Sequence, residues 1–138
     1  MTLRENQTES QQPESRLALA LTIYGRVMAL ILMGLGLRHW AVIVGVLDGP
    51  FGSFDAMPTD WKVATMHLAV VDLVAAVGLW QRVAWGNVVW IYAALAEVAM
   101  HTVFADTFGN DLPIIMFHLV TLGGYLVLYV LERREAAH

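Results

Sequence analysis

Residues 16–47 read RLALALTIYGRVMALILMGLGLRHWAVIVGVL, and Asp48-Gly49-Pro50 closes the run with a turn cluster that a helix does not cross. Its 32 residues make a helix of about 48 Å at about 1.5 Å per residue, longer than the roughly 30 Å hydrocarbon core of a bilayer. Such a helix tilts, kinks or projects, and Arg16 and Arg26 suit a projecting end. Three more apolar runs follow, at about residues 63–80, 88–104 and 112–131, each approaching the length needed to cross. Short links at 81–87 and 105–111, and a longer loop at 48–61, make sequential helices antiparallel neighbours. The expected fold is all-α: a four-transmembrane-helix antiparallel bundle over residues 16–134.

The composition agrees. Of 138 residues 58% are apolar and only 14% charged, which is not the balance of a soluble domain. Residues 1–15 are polar, lack the basic-then-apolar layout of a cleavable signal, and read as a disordered cytoplasmic tail, with residues 135–138 a second, short one. Arg4, Arg16, Arg26, Arg82, Arg133 and Arg134 fall on the face shared by both termini, against Lys62 alone opposite, so both termini are expected in the cytoplasm. Asp48, Asp55, Asp60, Asp106 and Asp111 fall on the outer side, where they attract cations or simply keep the loops soluble. Trp80 and Trp85 near the inner turn and Trp61 at the outer end of helix two fit interfacial belts.

Absences narrow the function. Without cysteine there is no disulfide, thiolate metal site or thiol chemistry, and a metal would be held by nitrogen, oxygen or thioether. No phosphate loop, Ser-His-Asp order or basic patch is present, so nucleotide and nucleic-acid partners drop out, and nothing points to catalytic turnover.

Chemistry concentrates in the helices. His39 is late in helix one, His67 early in helix two, His101 late in helix three and His118 early in helix four, so alternating directions place all four in the outer half. Beneath them Arg38, Asp72 and Glu97 lie near mid-membrane, where insertion costs about 2.5–3.5 kcal/mol for an Arg or Asp. They are expected to form a buried charge network. Arg38 neutralises one carboxylate, and the remaining negative charge requires a protonated carboxyl, a histidinium or a bound cation. Glu97 and His101, four apart, share a stripe with Trp90 and Ala94, so His67, Glu97, His101 and His118 form a candidate metal set and the four histidines a candidate cofactor set. His118, Thr121, Tyr125 and Tyr129 form another stripe that suits a proton path. Against a single cluster, His67 and Asp72 lie about 140° apart around their helix, and Asp72 shares its face with Thr65. Met57, Met66, Met100 and Met116 gather in the same half, which suits Cu(I) or is ordinary core filling. A haem b, or an iron or copper ion, is the cofactor class implied, with Gly34, Gly36, Gly78, Gly123 and Gly124 offering room for a macrocycle.

Phe54-Asp55-Ala56-Met57-Pro58-Thr59-Asp60-Trp61 before helix two, with Met100-His101 closing helix three, resembles a small uncharacterised family of four-helix inner-membrane proteins of alphaproteobacteria, over about residues 20–131. The resemblance implies the fold and a bacterial inner membrane, and carries no activity or functional residue. From the residues themselves, Thr59 or Asp60 is the expected N-cap of helix two, and Phe51 and Phe54 lie on the membrane surface or over the bundle mouth.

Three functions compete. The leading one is a His/carboxylate site for a metal ion or haem, serving electron transfer or cofactor handling. The second is an accessory subunit of a larger membrane complex, or a homo-oligomer, in which polar groups cement helix contacts. The third is a small proton-coupled transporter using Asp72, Glu97 and the tyrosine stripe.

Overall fold

The computed structural model describes residues 15–138, so the tail expected over residues 1–14 lies outside the described residues. Helices are α1 (Arg16–Ile43), α2 (Thr59–Trp80), α3 (Ala84–Thr102), a single turn α4 (Ala105–Phe108) and α5 (Leu112–Ala136), with a 3₁₀ turn at Phe54–Ala56. The described residues contain no β-strand, only an isolated bridge between Gly49 and Gly52 in the long loop.

Local chemistry sets the ends and corrects several expected boundaries. Ser15 belongs to the bundle rather than the tail: its hydroxyl accepts from Ala18 N at 3.0 Å and caps α1. α1 stops at Ile43 rather than Leu47, four residues ahead of Asp48, and Gly45 takes a positive φ of 82° just past its end. α2 starts at Thr59, with Pro58 rather than Thr59 or Asp60 in the N-cap position. α3 begins at Ala84, four residues before the expected start, and ends at Thr102, two short of the expected limit, and part of the following link is the α4 turn. Asp111 caps α5 through its side chain, which accepts from Ile114 N at 3.3 Å, and α5 runs to Ala136 through the expected C-terminal tail.

The α2–α3 turn spans Gln81 to Val83 and closes by Val83 N donating to Gly78 O and Arg82 N to Leu79 O. Arg82 sits there at φ 59°, a left-handed conformation that costs a non-glycine residue roughly 1–2 kcal/mol.

α1 packs on α2, α2 on α3, α3 on α5, and α5 back on α1, closing a ring of four long helices. One end collects the start of α1, the end of α2, the start of α3 and the end of α5, as in the cavity shared by Ala18, Leu79, Asn87 and Tyr129. The other collects Val42, Trp61, Met100 and Ile114, so neighbours are antiparallel. Both termini leave from the first end. α1, α2 and α5 are long and apolar enough to cross a membrane. α3, the shortest of the four long helices, is not among these three, and it carries Asn87, Glu97 and His101.

Packing follows residue size. Trp90 is fully buried among Met28, Ala29, Leu32, Ala75, Ala76 and Leu79, with Tyr24, Phe117 and Tyr125 around it. Alanines on α2 and α3, including Ala69, Ala75, Ala93 and Ala94, keep those backbones close; van der Waals contact of this kind holds helices together where lipid removes the hydrophobic drive. At the closest crossing a Cβ on Gly86 would lie 2.3 Å from the carbonyl carbon of Gly78. α5 is packed least: Ile115 and His118 are its buried residues.

These contacts predict that Gly86→Ala lowers stability by about 1–3 kcal/mol through overpacking against backbone. Gly123, whose Cβ would meet nothing within 4 Å, is neutral to slightly stabilised by the same change. Thermal unfolding in detergent monitored by tryptophan fluorescence distinguishes the two.

A polar cavity over paired carboxylates and histidines

The outer half of the ring encloses a cavity of about 240 Å³. Arg38, His39, Thr65, Glu97, His101 and Asp111 supply its polar wall. Its roof is aromatic. Trp61 meets Phe51 and Phe108 edge-on, each at 5.3 Å between centroids, and its Nε1 donates to Thr107 O at 3.2 Å. Phe51 therefore lies over the bundle mouth, and Trp61 joins the long loop to the α4 segment. Met57 from the loop is buried, with Thr65 Oγ1 3.8 Å from its sulfur.

Below the cavity, two carboxylates each meet a histidine from another helix. His118 Nε2 on α5 is 3.1 Å from Glu97 Oε2 on α3, with both side chains largely buried. His39 Nε2 on α1 is 3.9 Å from Asp72 Oδ2 on α2, too long for a hydrogen bond. Asp72 is completely buried, and neither of its oxygens has a hydrogen-bond partner. His118 Nδ1 and Trp90 Nε1 are also buried without partners. Four unpartnered polar atoms in one layer are costly in a medium without water, roughly 1–3 kcal/mol each. They comprise two acceptors on Asp72, one donor on Trp90 and one imidazole nitrogen, a set that water molecules satisfy.

Several expected partnerships are different. Arg38 is exposed and makes no ion pair with Asp72 or Glu97, so the network expected of Arg38, Asp72 and Glu97 is replaced by two His–carboxylate pairs. The cause is phase: Arg38 and His39 point about 100° apart, and His39 takes the inward position. Glu97 turns to His118 rather than to His101 on its own stripe. His101 Nδ1 lies 2.9 Å from Gly109 O, where it must donate, and ties the end of α3 to the α4–α5 link. His67 Nε2 lies 2.8 Å from Tyr92 OH and clasps α2 to α3 away from the cavity. The four histidines thus share a level without sharing a centre.

The metal set of His67, Glu97, His101 and His118 is not assembled: among the described residues no three His, Asp or Glu side chains are grouped to hold a metal ion. Of the methionines in the copper reading, Met66 and Met116 face outward, while Met57 and Met100 line the cavity. A haem does not fit this site. The cavity is below the about 300–1,000 Å³ typical of ligand pockets, and the glycines expected to make room are used otherwise. Gly36 abuts Leu73, Gly78 abuts Gly86 and Trp85, and Gly124 abuts the Tyr24 hydroxyl, while Gly34 and Gly123 face open space. Sequence reasoning missed Tyr24, whose hydroxyl donates to Thr121 O and binds α1 to α5, and Trp40, whose Nε1 donates to Ala69 O at 3.2 Å. Either is a tyrosine or tryptophan inside an apolar run, and that is the only signal the chain gives.

The sequence model of a family of unknown function, DUF6163, matches residues 19–136. No curated protein and no solved structure matches the chain.

Because Glu97 loses its one close partner, His118→Ala is expected to cost on the order of 3 kcal/mol, the range for breaking a buried pair. Arg38→Ala is expected to stay within about 0.5 kcal/mol. As the chain has no cysteine, a Leu122→Cys probe gives one maleimide site in the α5 packing face, and its labelling should accelerate with His118→Ala and not with Arg38→Ala.

Proposed function

We propose, for a chain that belongs to DUF6163, a family of unknown function, that it is a four-pass bacterial inner-membrane protein acting as a small proton-coupled transporter. In this reading both termini are cytoplasmic, and protons enter through the outer cavity onto the Glu97–His118 and Asp72–His39 pairs.

The fourth span is α3. Its polar Glu97 and His101 are turned inside while Val88, Ile91, Tyr92 and Leu95 face outward, so the surface offered to lipid is mostly apolar. Arg16, Arg26, Arg82, Arg133 and Arg134 sit at the end where α1 begins and α5 ends, against Arg38 and Lys62 toward the other, the asymmetry of a cytoplasmic face.

The observation that carries the proton reading is the 3.1 Å Glu97–His118 contact beneath a polar cavity, with His118 Nδ1 left unpartnered on the far side of the ring. A carboxyl beside a neutral imidazole and a carboxylate beside an imidazolium have the same net charge. A proton shifts between Glu97 and His118 Nε2 without placing a new net charge in a low-dielectric layer. The imidazole is two-ended: a proton taken up at Nε2 can be released from Nδ1 to the next acceptor. Asp72, paired with His39, has two unpartnered oxygens of its own.

On the other side of the apolar layer around Trp90 lies a second cavity of about 230 Å³ at the terminal end, so room for water is present at both ends of the bundle. Alternating hydration of the two is the movement a transporter needs. The metal or haem reading has no comparable support, for the reasons of ligand placement given above. The apolar outer faces serve lipid and a partner subunit equally well, so the accessory-subunit reading has no observation of its own.

Reconstituted protein should dissipate an imposed proton gradient, followed by a trapped pH dye under a potassium diffusion potential, at least about tenfold faster than empty vesicles. The Glu97→Gln variant should fall to the empty-vesicle rate, as expected when a relay carboxyl is lost. Arg38→Ala should retain most of the wild-type rate. Wild-type vesicles as tight to protons as empty ones would overturn this function.

A further inference from the structure

The cavity at the terminal end is built differently from the outer one and takes no part in the carboxylate–histidine layer. Thr22, Arg82, Asn87, Tyr125, Tyr129 and Glu132 line it, and its volume of about 230 Å³ is several times the roughly 30 Å³ share of one water molecule. Arg82 and Glu132 carry opposite charges on its wall, yet among the described residues the ion pairs within 4 Å are the two His–carboxylate contacts alone. Two opposite charges that line one cavity without closing on each other leave a place for a group that meets both.

Arg82 occupies a position where glycine is the ordinary residue. Its φ of 59° is strained for a side chain, and the residue so held lines the cavity. A guanidinium presents paired N–H donors to phosphate oxygens. The same cavity is lined by Tyr125 and Tyr129, which stack at 6.3 Å and 16°, and by Glu132. Aromatic rings and a carboxylate together suit a small ammonium group. The surroundings place this cavity at headgroup depth. Arg26 lies over the Trp80 ring at 5.0 Å, Arg133 over Tyr129 at 5.2 Å, and Trp80 and Trp85 are exposed, a basic and aromatic belt of the kind found at membrane surfaces.

We propose that this cavity binds a phosphoethanolamine group, its phosphate on Arg82 with Asn87 adjacent and its primary ammonium on Glu132 and the Tyr125–Tyr129 stack. The group arrives as the headgroup of a phosphatidylethanolamine lipid or as the free zwitterion; the recognition chemistry is the same. A primary ammonium suits Glu132 because it donates N–H bonds, which a trimethylammonium does not.

The test uses the full chain, purified in detergent, stripped of lipid and titrated with dioleoyl phosphatidylethanolamine, phosphatidylcholine and phosphatidylglycerol, with binding read by native mass spectrometry. Phosphatidylethanolamine should bind at least about tenfold more tightly than either of the others. Arg82→Gly and Glu132→Gln should each remove most of that preference. Arg82→Gly is the informative variant, because glycine suits the positive φ and the melting temperature should not fall, so lost binding is not lost folding. Free phosphoethanolamine added as competitor separates the sources: displacement of the lipid at equal concentration marks the free solute as the ligand, and failure to displace it marks the lipid. Equal binding of the three lipids, or an unchanged preference in Arg82→Gly, would overturn the assignment.

Discussion

A carboxylate and an imidazole 3.1 Å apart, Glu97 and His118, join α3 to the helix that packs least. α5 buries only Ile115 and His118, and its other firm tie is the Tyr24 hydroxyl on Thr121 O. In a bilayer the lipid competes for every apolar face of α5, so burial contributes little to its attachment and directional polar contacts contribute more. The position of α5 in turn closes the outer cavity through Asp111 and Ile114, and it supplies the Tyr125–Tyr129 wall of the inner one. Both cavities therefore depend in part on one polar contact between α3 and α5.

The remaining three helices are assembled on a different basis. α2 packs against α1 and α3 through alanine and glycine faces, with Gly78 and Gly86 nearly touching and Trp90 filling the space at the centre of the bundle. This rigid part holds Asp72 with no room for a protein partner on either oxygen. A tightly packed three-helix unit with a loosely packed fourth helix is a natural place for a small movement, because the fourth helix can shift without opening the alanine seams. The charged layer then lies at the boundary between the closely packed and the loosely packed part.

Electrostatics explains why the polar residues pair as they do. A fixed guanidinium beside Asp72 and Glu97 would satisfy the charge count, yet Arg38 is exposed at the cavity wall and histidines take the inner places. An imidazole can be neutral or charged, so a His–carboxylate pair can pass a proton between its two members without changing its net charge, which an Arg–carboxylate pair does not permit. Arginine instead populates the terminal end, where its long side chain lies over Trp80 and Tyr129.

The amino-acid sequence by itself determined the helical class, the number of long helices, their alternating direction and the shared half of the bundle that holds His39, His67, His101 and His118, because run length, turn residues and helix direction are local properties. It also marked Asp72 and Glu97, since a carboxylate inside an apolar run is visible without coordinates. Pairing was decided only by tertiary structure. Whether Glu97 meets His101 or His118, whether Arg38 or His39 faces Asp72, and whether Gly78 makes room for a ligand or for Gly86 all depend on how one helix is rotated against the next. Period and spacing fix which residues share a face of one helix; the rotation of that face toward a neighbour is set by the packing of all four together, with steps of about 100° per residue turning a one-position difference into a different partner.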